Sequence, residues 1–303
     1  MPIAAIPALT IASIPGRLKA DTYPIRITRR IRWSDIQDGR VSRVGMAHFF
    51  EDLRIFTIHQ FDAARGTQSQ NGSSLLRAVT IEHLAPATPD FPTLELAVGV
   101  ASIGKSSFTY ALAAFQNGRC VAVGSSVDVR VVDGRAAAWD DDSLAVLQKF
   151  LIPAASGAGT ATAPAQQPAT YPWSFELDTR FADTDCNGHL NNVTMSRYHD
   201  NAAMAFIREA LGHTHPDAQG LRLSVVRQEA SMGLQTHYSG PIKLCVAVLE
   251  IQPQWFTLAI ATVKDGEHTT TATALIACLD KDDQPQALPG ALVEKLRAFC
   301  APA

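Results

Sequence analysis

Two stretches of the chain follow one plan. "RRIRWSDIQDGRVSRVGMAHFFEDLRIF" runs from Arg29, and "LDTRFADTDCNGHLNNVTMSRYHDNAAM" runs from Leu177. Arg32-Trp33-Ser34-Asp35 parallels Arg180-Phe181-Ala182-Asp183. After a one-residue slip, Met46, Phe49 and Glu51 parallel Met195, Tyr198 and Asp200. Farther on, Asn117-Gly118 and Asp265-Gly266 each sit between alternating apolar runs, and such pairs favour hairpins because both turn positions need positive φ. Each stretch then ends in a short amphipathic helix pattern, "SLAVLQKF" and "ALVEKLRAF". Register held through four landmarks implies a tandem duplication.

The order of elements within each copy follows from periodicity. Met46, Phe49, Leu53, Phe56 and Thr57 recur at helical spacing, as do Met195, Tyr198, Ala202, Ala205 and Phe206. Ser42 in one copy and Asn191-Asn192 in the other are the residue types that cap helix starts. Strands follow: "LELAVGV", "FTYALAAF" and "SVDVRVV" in the first copy, "KLCVAVLEI", "WFTLAIATV" and "TATALIACL" in the second. One helix followed by an antiparallel meander is an α+β plan in which the apolar helix and the apolar sheet face cover each other.

Between the copies, "LIPAASGAGTATAPAQQPAT" carries no charge and little to bury, so residues 151–170 read as a linker. The expected organisation is an N-terminal extension at 1–21, a domain at 22–150, the linker, and a second domain at 171–303. With 47% apolar residues and 18% charged ones, the chain can build real cores. A formal charge of −3 gives no reason to expect nucleic acid or an anionic membrane as partner. The cysteines (Cys120, Cys186, Cys245, Cys278, Cys300) are scattered, without a CxxC pair, which fits a reducing compartment rather than a disulfide framework or a zinc site. The apolar start lacks a basic residue ahead of it and is broken by Pro2, Pro7 and Pro15, against a secretion signal, and no stretch has membrane-spanning length. A soluble cytoplasmic protein is expected.

"FADTDCNGHLNN" crowds acids, amides and a histidine just ahead of a helix start. As structure alone, that is a loop with a good cap. As chemistry, a helix N-terminus offers unshared amides and about half a positive charge, so a carboxylate held beside it can act as base or nucleophile on a carbonyl polarised there. The duplication sorts the candidates. Asp183 has a counterpart in Asp35 and so reads as a structural turn residue, whereas Asp185 falls opposite Gln37 and His189 opposite Arg40. One active site per chain follows.

The loop resembles that of the hotdog-fold thioesterases, a group that includes the 4-hydroxybenzoyl-CoA thioesterases and the plant acyl-carrier-protein thioesterases. Asp185, Asn187 and His189, followed by Asn191-Asn192, match the plant enzymes' Asp-x-Asn-x-His-x-Asn-Asn pattern. The resemblance implies two tandem hotdog domains, each a long central helix wrapped by a curled antiparallel sheet, forming an internal pseudo-dimer that can pair further with itself. It implies hydrolysis of an acyl-CoA or acyl-carrier-protein thioester, with no cofactor and no metal. Asp185 is then the base or nucleophile, Asn187 and His189 position water or the thioester, and Gly188, Asn191 and Asn192 bind substrate. The family's further catalytic glutamate corresponds to Glu229 in "VVRQEASMG", where a solvated strand residue is the plain alternative.

Other readings stay open. Cys186 beside His189 suggests a thiol nucleophile, although a lone cysteine is more often a small buried hydrophobe. His213 and His215 lack an evident third metal ligand. Hotdog hydratases of enoyl-CoA carry a proline where Gly188 stands, and their histidine comes one residue later than His189. An acyl-binding module without catalysis suits the degenerate first copy. Arg26, Arg29, Arg30 and Arg32 are candidates for the phosphates of CoA.

Overall fold

A computed structural model describes every residue except 1–5, 7–8, 66–72, 154–166, 186–187, 214–220, 234–239 and 302–303. The chain divides into two compact units, one of Pro7–Ala163 and one built on Pro164–Ala303. The first contains strands β1 (Ile25–Arg30), β2 (Ser73–His83), β3 (Thr93–Ile103), β4 (Ser107–Gln116) and β5 (Arg119–Val132), with helices α1 (Arg43–Arg65) and α2 (Asp141–Lys149). The second contains β6 (Trp173–Asp178), β7 (Arg222–Met232), β8 (Pro241–Ile251), β9 (Trp255–Lys264) and β10 (Glu267–Leu279), with α3 (Asn192–Ala205) and α4 (Gly290–Arg297). Most of the linker expected at 151–170 lies outside the described residues.

Each unit holds an antiparallel ladder of the same topology. The order is β1-β3-β4-β5-β2 in the first and β6-β8-β9-β10-β7 in the second. Register agrees step for step: Tyr110 faces Ser126 and Leu258 faces Ala274, while Leu76 faces Asp128 and Val225 faces Ile276. The bulge after Leu76 recurs after Val225. The hairpin turns are the expected ones, with φ of 48° and 73° at Asn117-Gly118 and 52° and 82° at Asp265-Gly266. That left-handed pair matches the twist of the strands it joins.

The long helices form where the capping residues stand. Ser42 Oγ accepts the Gly45 N–H at 2.9 Å. Asn191 caps α3 by accepting from Val193 N at 2.7 Å and Thr194 N at 3.4 Å. One face of each helix is then buried: Met46, Phe49, Phe50, Leu53 and Thr57 in α1, Met195, Tyr198, His199 and Ala202 in α3. Helix α3 packs across β7, β8, β9 and β10 and runs on into a π-turn, Phe206–Ala210. Burial of side chains as large as Leu53 or Phe206 contributes roughly 2–3 kcal/mol each.

At one point the copies solve the same packing problem differently. A Cβ built on Gly124 would lie 2.9 Å from the Phe50 ring, so the first helix needs glycine beneath it. Continuing the register, the second copy places Ala272 below the smaller His199. His199 is fully buried, with Nε2 2.9 Å from Thr270 Oγ1 and 3.4 Å from Thr262 Oγ1. The first copy has Ala122 and Ala114 at those two strand positions.

Residues 9–23 are also part of the first unit. Leu9, Ile11 and Tyr23 are buried, and the backbone N–H groups of Thr10, Ile11 and Ala12 donate to the carboxylate of Glu82 at 2.7–3.0 Å. Two of the four arginines considered for phosphate binding have acidic or aromatic neighbours: Arg26 lies 3.6 Å from Glu95, and Arg29 donates to Asp52 at 2.6 Å beside the Phe56 ring. No described helix is long and apolar enough to cross a membrane.

Candidate active site

The polar loop of the second unit is built in steps that end at the tip of α3. A single 3-10 turn, Phe181–Asp183, comes first. Asp183 Oδ2 accepts the Arg180 N–H at 2.8 Å and the Tyr198 hydroxyl at 2.6 Å, with Arg197 Nη1 3.9 Å from its other oxygen. Its carbonyl accepts the Asn191 N–H at 2.9 Å. The chain then pairs with itself: Thr184 bridges Leu190, and Asp185 N donates to His189 O at 2.8 Å. Asp185 Oδ1 accepts the His189 N–H at 3.1 Å, and Asp185 O accepts from Gly188 N at 3.1 Å. Gly188, at φ +75°, adopts the left-handed conformation that the turn requires.

The first unit repeats this frame. Asp35 Oδ2 accepts the Arg32 N–H at 2.9 Å, its carbonyl accepts from Ser42 N at 2.8 Å, and Ile36–Gln37 pairs with Arg40–Val41. Asp35 and Asp183 therefore hold the same turn, in keeping with the structural role inferred from their presence in both copies. The copies part at the innermost rung. Gln37 faces Arg40 where Asp185 faces His189, and the extra residue that causes the one-residue slip lies between the latter two.

The helix tip is less open than a bare N-terminus. Asn191's side chain occupies the amides of Val193 and Thr194, and Asn191's own N–H is taken by Asp183. Among the described residues, this leaves the Asn192 N–H as the first-turn amide that the cap does not use. Asp185 and His189 are half-buried and Gly188 is exposed. Asn187 and Cys186 lie outside the described residues.

Glu229 stands on β7 and is buried, not solvated as the plain alternative had it. Its Oε2 accepts from Arg227 Nη2 at 2.7 Å. The intervening Gln228 donates to Ser196 O, in the first turns of α3, at 3.3 Å. Alternation along a strand thus turns Gln228 to the helix and Arg227 and Glu229 to the other face. Matching bulges make Thr80 the counterpart of Glu229, so this acid, like Asp185, belongs to one copy alone.

The remaining candidates are placed as follows. No group of three His, Cys, Asp or Glu that could hold a metal occurs among the described residues, and His215 is not among them. Cys120, Cys245, Cys278 and Cys300 are free thiols, and burial pushes Cys120 up to about 12. Sequence reasoning missed the Tyr198–Asp183 bond. The exchange of Phe49 for Tyr198 at matching helix positions was the available signal, since a buried tyrosine hydroxyl needs a partner.

Residues 179–296, which hold the loop, α3, all of β7 to β10 and most of α4, match the model of the Thioesterase-like superfamily. Comparison with curated proteins finds no match. Among solved structures, an acyl-ACP thioesterase from Bacteroides thetaiotaomicron is similar at a TM-score of 0.61 and 15% identity, over 83% of this chain and 97% of that one. A 12:0-ACP thioesterase from Umbellularia californica has a TM-score of 0.61 and 13% identity, over 84% and 97%. A provisionally assigned oleoyl thioesterase from Lactobacillus plantarum has a TM-score of 0.65 and 15% identity, over 86% and 97%. Those shares exceed what either copy could supply alone, so the likeness of fold runs through both. The helix-on-sheet units and the likeness to these solved structures give the chain a hotdog fold, and residues 179–296 match the Thioesterase-like superfamily.

Proposed function

We propose that Asp185 is the catalytic carboxylate of a single active site per chain, acting on an acyl-CoA or acyl-carrier-protein thioester. The carrying observation is the innermost rung of the loop, where the two copies diverge within a shared frame and where Asp185 and His189 close against the start of α3. As general base, the Asp185 carboxylate takes a proton from water while the oxygen adds to the carbonyl carbon. The intermediate then expels the thiolate as the C–S bond breaks. As nucleophile it forms an anhydride instead, which water opens. The Asn192 N–H, at the positive end of the helix, is the donor for the developing oxyanion. Asn191 sets the geometry of that tip, Gly188 lets the backbone turn beside the substrate, and Asn187 and His189 orient water or the thioester. Glu229, on the face of β7 turned away from α3, is the further carboxylate whose part in turnover Glu229→Gln tests.

The arrangement is a tandem double hotdog with domains at 22–150 and 171–303, the first copy serving as scaffold. Its place is the cytoplasm, in fatty-acid metabolism. A panel of acyl-CoA and acyl-carrier-protein thioesters, assayed with wild type, Asp185→Asn and Asp35→Asn, tests this. Asp185→Asn is expected to lower kcat/KM by about 10²-fold or more, and Asp35→Asn by only a few-fold. The reverse pattern overturns the assignment. Turnover of enoyl-CoA in place of saturated thioesters would move the chain to the hydratases. Binding without turnover of any thioester would make it an acyl-binding module.

A further inference from the structure

The interior of the first copy carries polar groups that the fold does not require. Arg54 of α1 faces Tyr110 on β4 and Ser126 and Asp128 on β5, and all four side chains are buried. Tyr110 and Ser126 are directly opposed across the ladder, and Asp128 is two residues further along the same face. Arg54 Nε lies 3.9 Å from Asp128 Oδ1, beyond hydrogen-bond reach. Ser74 Oγ donates to Asp128 Oδ2 at 3.2 Å. Among the described residues, Arg54 Nε, Tyr110 Oη, Ser126 Oγ and Asp128 Oδ1 all lack a hydrogen-bond partner. Leaving one such group unpaired is costly, and four together are uncommon in a native interior.

The second copy supplies the control. Carrying the shared register across, Arg54, Ser74, Tyr110, Ser126 and Asp128 correspond to Ala203, Leu223, Leu258, Ala274 and Ile276. All five of these counterparts are apolar and buried. At these five positions the same topology therefore closes with hydrocarbon, and the polar set of the first copy serves something other than folding.

We propose that this cluster is a binding site for the hydroxyl group of an otherwise apolar, chain-like ligand. The cluster pairs one cation with one anion, so it suits a neutral guest. It offers donors at Arg54, Tyr110 and Ser126 and an acceptor at Asp128 Oδ1, so the guest group must both accept and donate, as a hydroxyl does. The surroundings are aromatic: the Phe61 ring lies parallel to Tyr110 at 6.4 Å between centroids, and Phe108 packs edge-on against Tyr110 at 4.5 Å. A plain hydrocarbon would bury all four polar atoms without compensation, so the site discriminates against it. If the guest is the acyl part of the substrate, that step rests on the thioesterase reading; binding of the free hydroxy acid does not.

Calorimetric titration of the full chain with decanoate, 3-hydroxydecanoate and 10-hydroxydecanoate tests the proposal without any hydrolysis. At least one hydroxy acid is expected to bind about tenfold tighter than decanoate or better. The double variant Tyr110→Phe with Ser126→Ala, which removes two hydroxyls at almost constant volume, is expected to abolish that margin. A second variant takes on the other copy's apolar set through Arg54→Ala, Ser74→Leu, Tyr110→Leu, Ser126→Ala and Asp128→Ile together. It is expected to reverse the margin, with thermal melting to show that each variant folds. Equal affinities, a margin that survives the double variant, or a crystal soaked with the hydroxy acid in which only water meets the four atoms would overturn the proposal. The same titration on Asp185→Asn keeps the two readings apart, because that variant is expected to bind normally even if the thioesterase assignment fails.

Discussion

The hydroxyl of Tyr198 donates to Asp183 across 2.6 Å, whereas at the matching positions of the first copy Phe49 stands above an Asp35 that is more exposed. A buried carboxylate bonded in this way fixes the loop to the helix that follows it. Tyr198→Phe keeps the ring, which the first copy shows to be compatible with the fold, and removes one partner of the carboxylate. Chemical denaturation is expected to show a loss of about 1–3 kcal/mol, together with lower thioester turnover as the rung at Asp185 loosens.

Glu229 has two separable roles, partner of Arg227 and contributor to turnover. Glu229→Gln keeps the shape and removes the charge. If Glu229 takes part in the reaction, kcat falls by roughly tenfold or more with little change in KM. A drop in melting temperature with kcat intact would reduce it to the acceptor of Arg227.

The caps give a comparison within one chain. Asn191→Ala strips the acceptor from the amides of Val193 and Thr194, and Ser42→Ala strips it from Gly45. Each is expected to cost about 1 kcal/mol in denaturant titrations. Only Asn191→Ala is expected to alter turnover, because it frees two amides at the tip where the carbonyl is polarised.

His199 makes stability pH-dependent. Burial holds its imidazole down to about 4, against 6.5 for the free side chain. Between those values the unfolded chain takes up a proton that the folded chain refuses. The part of stability that His199 governs is therefore full above pH 6.5, declines as the pH falls, and has dropped by roughly 3 kcal/mol near pH 4, where the folded state begins to protonate as well. Denaturation midpoints measured from about pH 7.5 to 4 check this. The loss should be absent when His199, Thr262, Thr270 and Ala272 are replaced by the first copy's Phe, Ala, Ala and Gly.

The parts of this molecule that sequence exposes are those governed by short-range rules. Ser42 and Asn191 mark helix starts, Asn117-Gly118 and Asp265-Gly266 mark hairpins, and the slip between the copies falls where Asp185 and His189 replace Gln37 and Arg40. Strand β2 is hidden in the sequence because the bulge at Arg77 breaks the alternation that announces a strand. Glu82 is buried because backbone amides about seventy residues upstream satisfy it, and no local pattern encodes such a pairing. The polar set around Arg54 is hidden for a related reason, since its members come from one helix and three strands and converge only after folding.

Gly124 beneath Phe50, and Ala272 beneath His199, also make the copies mutually untransplantable one residue at a time. A lone His199→Phe change drives a benzyl ring into a methyl group, while the concerted exchange with Ala272→Gly opens the space it needs. Each sister half has thus drifted along compensated steps, and any chimera stitched from them must carry whole interlocking pairs across the seam.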